Sequence, residues 1–167
     1  MNRVINNHKY QGCWELIQNA QSLSLATLTG QGFPECSYTP YLFQQESGFF
    51  ILISGLSSHS SNLRINPKAG VLITQSNTDI KQAFAQPRVM LSCQAHPVVR
   101  SSECYVAVIE SMQMRFGETV NILAQLTDFS LWQLQPFSGR WISGFGKAVQ
   151  LGEDSGLLMA QVSVKPV

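Results

Sequence analysis

Apolar and polar positions alternate along much of this 167-residue chain with the period of two that marks half-buried strands. Ser22-Leu23-Ser24-Leu25 is one such stretch, and after the turn residues Gly30-Gln31-Gly32 the segment from Glu35 to Thr39 is its expected hairpin partner. The turn Glu46-Ser47-Gly48 leads into Phe49-Phe50-Ile51-Leu52-Ile53, an unbroken apolar run expected of a strand buried on both faces and so of the centre of the core. Val71 to Thr74 forms a further strand. A longer one sets Val89, Leu91, Cys93 and Ala95 on one face against Met90, Ser92, Gln94 and His96 on the other. Two last strands, Phe129 to Leu134 and Arg140 to Leu151, are expected to meet at the turn Pro136-Phe137-Ser138-Gly139.

Helical spacing occurs in three places. Trp14, Ile17 and Ala20 recur at intervals of three over about residues 11 to 20; residues 58 to 65 form a second stretch, stopped by Asn66-Pro67. Ser101 is the expected cap of a third helix, whose stripe is Tyr105, Val108, Ile109, Met112 and Phe116 and whose stop is Gly117. About seven short strands in consecutive hairpins favour a mainly β fold, an antiparallel sheet closed into a barrel with flanking helices, because closure removes exposed edges. No repeat or linker divides the chain. It is expected to form one domain over residues 1–167, with an N-terminal helical segment to about residue 20 and a tail from about residue 152.

Charge changes the picture in one respect. With 11 Lys and Arg against 10 Asp and Glu, the chain lacks the basic excess of a nucleic-acid binder. Its 13% of charged residues, against about 25% in an ordinary soluble domain, predicts that part of the surface is covered by a partner. No segment has the length and apolarity of a membrane span and the start lacks the apolar run of a signal peptide, so the expected location is the cytoplasm. Cys13, Cys36, Cys93 and Cys104 form no paired-cysteine motif and read as small buried hydrophobes.

The densest polar cluster runs from Ser54 through Ser57, Ser58, His59, Ser60 and Ser61 to Asn62, at a helix start whose free amides suit a phosphate or carboxylate. Arg64, Lys68 and Arg88 can add positive charge. The alternative is that Ser57 or Ser58 is only a helix cap and that His59 sits on a solvated helix face. His8 and His96 carry no expected role. No His, Cys or Asp grouping has metal-ligand spacing, and no metal held by side chains alone is expected. Asp128 either orients a water or ligand or bonds its own turn. Ser143-Gly144-Phe145-Gly146 lacks the third glycine of a dinucleotide fingerprint and is read as a bulge or barrel corner within a strand.

Several stretches together resemble the haem-utilisation (HugZ/HutZ-type) branch of the FMN-binding split-barrel superfamily, which includes pyridoxamine 5'-phosphate oxidase. They are Leu25-Ala26-Thr27-Leu28 with Gly32-Phe33-Pro34; Ser37 to Tyr41; Ile53 to Leu56 with His59, Asn62-Leu63 and Asn66-Pro67; Phe84-Ala85 with Arg88; Arg115-Phe116-Gly117; Asp128-Phe129; and Gly144-Phe145-Gly146. The resemblance implies an antiparallel split β-barrel and a homodimer with cofactor pockets at the subunit interface. It implies haem as ligand, with ring-opening by oxygen and reductant as the further activity. Asp128 is then the catalytic candidate, and Ser54, Ser57, Ser58, His59, Ser60 and Arg88 the cofactor-binding ones.

Two alternatives stay open: an FMN-dependent oxidoreductase, and a non-catalytic cofactor-binding protein. The flavin enzymes hold the FMN phosphate with basic side chains at positions that here are Ser37, Leu42, Ser58 and His59. Haem-degrading relatives take an iron ligand from a tail histidine; no histidine follows His96 in these residues, so another ligand is expected.

Overall fold

A computed structural model describes residues 8–74 and 80–158. The first seven residues and residues 159–167, which include most of the expected tail, lie outside the described part. The chain begins with a short helical turn and α1 (Gln11–Asn19), then β1 (Ser22–Leu28), β2 (Pro34–Pro40), β3 (Leu42–Gln44) and β4 (Gly48–Ser54). Next come α2 (Ser58–Ile65), β5 (Lys68–Thr74), β6 (Arg88–Pro97), α3 (Glu103–Phe116), α4 (Thr119–Gln125), β7 (Phe129–Gly144) and β8 (Lys147–Gln150). All strands join one antiparallel sheet in the order β2-β1-β5-β6-β7-β4-β3, with β8 on β7. The sheet curls until β2 touches β4, giving a split barrel flanked by helices.

β4 is the centre of the core, as its unbroken apolar run predicts. Phe49, Ile51 and Ile53 face a cluster with Cys13 and Ile17 of α1, while Phe50 faces a second cluster with Tyr105, Val108 and Met112 of α3. Helices thus cover both sides of this strand, which leaves neither face for polar residues. Strand β6 alternates as expected, with Val89, Leu91, Cys93 and Ala95 buried.

Four sequence expectations are corrected. Residues 136–139 are no turn: β7 runs unbroken through them because β6 pairs with both halves. The surplus residue is absorbed as a bulge where Ser92 faces Ser138 and Cys93 faces Pro136, a place where proline's missing N–H is tolerated. The hairpin turn lies instead at Phe145-Gly146, with Gly146 at φ 69°. Ser102, not Ser101, caps α3, its Oγ accepting from Tyr105 N–H at 3.1 Å. Of the four free cysteines, Cys13 and Cys93 are buried but Cys36 and Cys104 are exposed, because the latter two stand on the outer faces of β2 and α3. Helix α4 carries no start signal: Glu118 precedes it without a capping bond.

Candidate functional site

The end of β4, the start of α2 and the start of β7 converge because β4 pairs with β7 in a register that sets Ser54 opposite Phe129. Asp128, one residue before that pair, is drawn onto the end of β4. Ser54 Oγ donates to Asp128 Oδ2 at 2.8 Å, and Gly55 N–H donates to the Asp128 carbonyl oxygen at 2.5 Å. Glycine is required at position 55 by this approach, since a Cβ there would stand 2.8 Å from that carbonyl oxygen.

Ser54 also organises the helix start that follows. Its Oγ accepts from Leu56 N–H at 3.2 Å, and its carbonyl accepts from Ser57 N–H at 3.1 Å and from Ser60 Oγ at 2.6 Å. Ser60 is buried by this bond; Ser57 is the residue before the helix but makes no side-chain capping bond. Leu56, at the tip of the loop, is 89% exposed. The sequence cluster is therefore a physical one: Ser54, Ser57, Ser58, His59 and Ser60 lie with Asp128 at one end of the barrel.

Glu35, which the sequence reading did not single out, completes the cluster from β2. Ser58 Oγ donates to its Oε1, and Asn62 Nδ2 donates to its Oε2 at 2.8 Å. Asn62 is buried and also donates to Thr27 Oγ1 at 3.0 Å. The bonds from Ser58 and Asn62 hold the Glu35 carboxyl below its ordinary pKa of 4.5, so it is ionised at neutral pH. No local pattern reveals these contacts, which join residues 23 and 27 positions apart.

His59 is half-buried, and its Nε2 is buried without a hydrogen-bond partner among the described residues. Burial pushes the imidazole below its ordinary pKa of 6.5, with the nearby Glu35 carboxylate working in the opposite direction. It is therefore not a solvated residue on an outer helix face. A buried imidazole nitrogen without a partner is costly unless something later meets it.

Arg88 stands apart. It opens β6 opposite Thr74 and Ile142, and its guanidinium donates to the Gln86 carbonyl at 2.9 Å. Along β7 the pair positions of Ser54 and Arg88 are Phe129 and Ile142, separated by roughly 40 Å of extended strand. Near Arg88, a cavity of about 660 Å³ opens between α1 and the sheet, lined among others by Glu15, Asn19, Tyr38, Thr74 and Trp141.

One further residue acts on the cluster from outside. Arg100, in the link from β6 to α3, donates to the carbonyls of Ala124 at 2.6 Å, Leu126 at 2.8 Å and Phe129 at 2.9 Å. It straps the end of α4 to the start of β7 on both sides of Asp128.

Comparison with known proteins fits this arrangement. Residues 12–141 match the pyridoxamine 5'-phosphate oxidase family. Heme oxygenase HutZ of Vibrio cholerae serotype O1 is 41% identical over 140 residues, 84% of this chain and 79% of that protein. A crystal structure of HutZ, described as the heme storage protein of Vibrio cholerae, aligns with TM-score 0.71 and 40% identity over 75% of this chain and 87% of that one. Campylobacter jejuni ChuZ, at 24% identity, shares the fold with TM-score 0.78 over 86% of this chain and 59% of its own.

Proposed function

This chain belongs to the pyridoxamine 5'-phosphate oxidase family, in its HutZ-type haem-utilisation branch, and on that premise we propose that it binds haem in a homodimer and degrades it with oxygen and a reductant. The observation that carries the reading is the Ser54–Asp128 contact beside the unpartnered imidazole of His59, in a chain 41% identical to a heme oxygenase. Bound haem supplies an iron centre at which oxygen and an electron donor react. Asp128 is the catalytic candidate: Ser54 holds Oδ2, leaving Oδ1 to position a water or proton. Exposed Leu56 offers apolar surface to the macrocycle, and Ser57 and His59 border it.

Arg88 is the proposed partner of a propionate, a charge-assisted bond its guanidinium suits. Its place at the far end of β7 favours a pocket built from two protomers, one giving Asp128 and the other Arg88. The outer sheet face supports the dimer. It carries a groove of about 580 Å³ in which Ala26, Cys36, Gly70, Leu72 and Met90 form a small and apolar floor for a water-facing sheet, with serines, Arg140 and Gln150 also lining it. Among the described residues no helix is long and apolar enough to cross a membrane, and four free cysteines suit the reducing cytoplasm.

The two descriptions of HutZ, oxygenase and storage protein, define the second reading, in which haem is held without turnover. Titrating haem into the dimer and then adding ascorbate in air separates them. We expect saturable binding, then loss of the haem absorption band, slowed at least about tenfold in Asp128→Asn with affinity unchanged, since that group acts on the way to the transition state. Haem that binds and persists in both proteins rejects turnover and leaves storage. No saturable binding rejects both.

Flavin mononucleotide fits this chain poorly. Of Ser37, Leu42, Ser58 and His59, only His59 is able to carry a positive charge, burial keeps it neutral, and the Glu35 carboxylate lies on Ser58.

A further inference from the structure

The first turn of a helix leaves backbone N–H groups without partners inside the helix and carries the positive end of its dipole, so it attracts an anion. Beside the start of α2 this chain supplies its own, held by side chains of the helix rather than by those N–H groups. Ser58 and Asn62 lie four residues apart and so on one face of the helix. Each binds one oxygen of the Glu35 carboxylate, which is thereby held at both ends. Asn62 is fixed in turn by its bond to Thr27 Oγ1 and by burial, so the amide is not free to swing toward another ligand. Strand β2 brings Glu35 to this place because Glu35 pairs with Thr27 on β1, directly beside the Asn62 contact.

We propose that Glu35 is a specificity-determining residue: its carboxylate, held by the Ser58 and Asn62 side chains against the first turn of α2, turns away ligands that carry a phosphomonoester, flavin mononucleotide among them. The inference rests on the reading above only in taking this end of the barrel as the ligand pocket. A second carboxylate-sized or larger anion placed against Ser58 meets a like charge at hydrogen-bond range, without a charged imidazole to offset it. The Arg64 guanidinium of the same helix stands 3.3 Å from where a Cβ on Gly55 would lie, and among the described residues no hydrogen bond or ion pair joins it to Ser58 or Glu35. Ligands without a phosphate do not meet this barrier.

Riboflavin and flavin mononucleotide differ only in the phosphate, and their fluorescence on binding gives the test in full-length wild type, Glu35→Gln and Glu35→Ala. Wild type is expected to bind riboflavin at least as tightly as flavin mononucleotide. Removing the charge should tighten flavin mononucleotide about tenfold or more, as relief of a like-charge contact does, and leave riboflavin within about twofold. Inorganic phosphate should then compete in the variants and not in wild type. Glu35→Gln keeps a hydrogen-bonding side chain of the same shape, so it answers the question if Glu35→Ala fails to fold. The wild-type comparison alone can overturn it, and the variants assign the effect to Glu35.

The proposal is overturned by wild type preferring flavin mononucleotide over riboflavin, by equal flavin mononucleotide affinity in all three proteins, or by riboflavin tightening as much as its phosphate. A haem titration of wild type run beside these reports on the haem reading alone. The expected flavin order without haem binding upholds the role of Glu35 while rejecting that reading.

Discussion

Ser54 and Asp128, 74 residues apart, are joined at two points: side chain to side chain at 2.8 Å, and through Gly55 N–H to the Asp128 carbonyl at 2.5 Å. Backbone and carboxylate of Asp128 are thus fixed by the same two-residue segment. A carboxylate held this way keeps one oxygen engaged and the other oriented, which is what positioning a water requires. The residues that enforce the contact are therefore as consequential as Asp128 itself.

Gly55→Ala tests the enforcement. Its Cβ would lie 2.8 Å from a backbone oxygen, which has no rotamer to yield, and 3.3 Å from the Arg64 guanidinium, which does. Parting the two backbones should cost about 1 to 3 kcal/mol, as overpacking in a close contact does. Denaturant unfolding should show the midpoint falling with an unchanged slope, and haem turnover should fall further than haem affinity. A variant as stable and as active as wild type would show that the contact is not tight in solution.

Arg100 holds the other side of Asp128 through three carbonyls. The guanidinium is exposed, so water recovers part of each bond, and Arg100→Ala should destabilise by about 1 to 2 kcal/mol. Arg100→Lys should recover less than half of that, because one ammonium cannot span three acceptors set around a planar fork. Unfolding curves for the pair give the comparison; equal stability of the lysine variant and wild type would reduce the strap to a single effective bond.

The same residues show what was legible in the sequence. The hairpin of β1 and β2, the doubly buried β4 and the alternation of β6 follow from local period, so they could be read directly. The serine-rich start of α2 was visible as composition, and the structure brings it to Asp128. Glu35 was not visible, because its partners lie on a helix reached only after two more strands. The unbroken β7 was missed for a related reason: Pro136 and Gly139 are turn residues by local chemistry, and only pairing with β6 on both sides of the bulge holds that stretch extended. Through-space pairing overrode local preference at both places.

Acid should destabilise the fold in two windows. His59 has a folded pKa below 6.5, so near that pH the unfolded chain binds more protons than the folded one. Its contribution is full above pH 6.5 and is lost as the pH falls toward the folded value. Glu35 behaves likewise below its ordinary 4.5: its contribution is present above that pH and lost as the pH falls through the depressed value. Urea midpoints measured from pH 7.5 downward should decline first near pH 6, and His59→Gln should flatten that first decline only. Glu35→Gln should flatten the second. A first decline that persists in His59→Gln would assign it to another group.

Thiol chemistry tests the dimer and its face together. Cys13 and Cys93 are buried, and burial pushes both thiols up to about 12, so neither should react with a thiol reagent in the native protein. Cys104 is exposed on α3, whereas Cys36 is exposed on the sheet face that carries the small, apolar groove. If that face packs on a second copy, Cys36 is shielded in the dimer and released with the monomer. At micromolar concentration light scattering should give twice the 18.5 kDa chain mass, and one thiol per chain should react quickly. Met90→Arg sets a positive charge in the same groove directly across from Arg140 on β7, and burying two like charges against a second copy is costly. It should return the mass to 18.5 kDa and raise the fast-reacting thiols to two per chain. A monomeric wild type would remove the two-protomer pocket, and with it the route by which Arg88 reaches the ligand. A dimer in which Cys36 reacts as fast as Cys104 would keep the pocket and move the interface to another face.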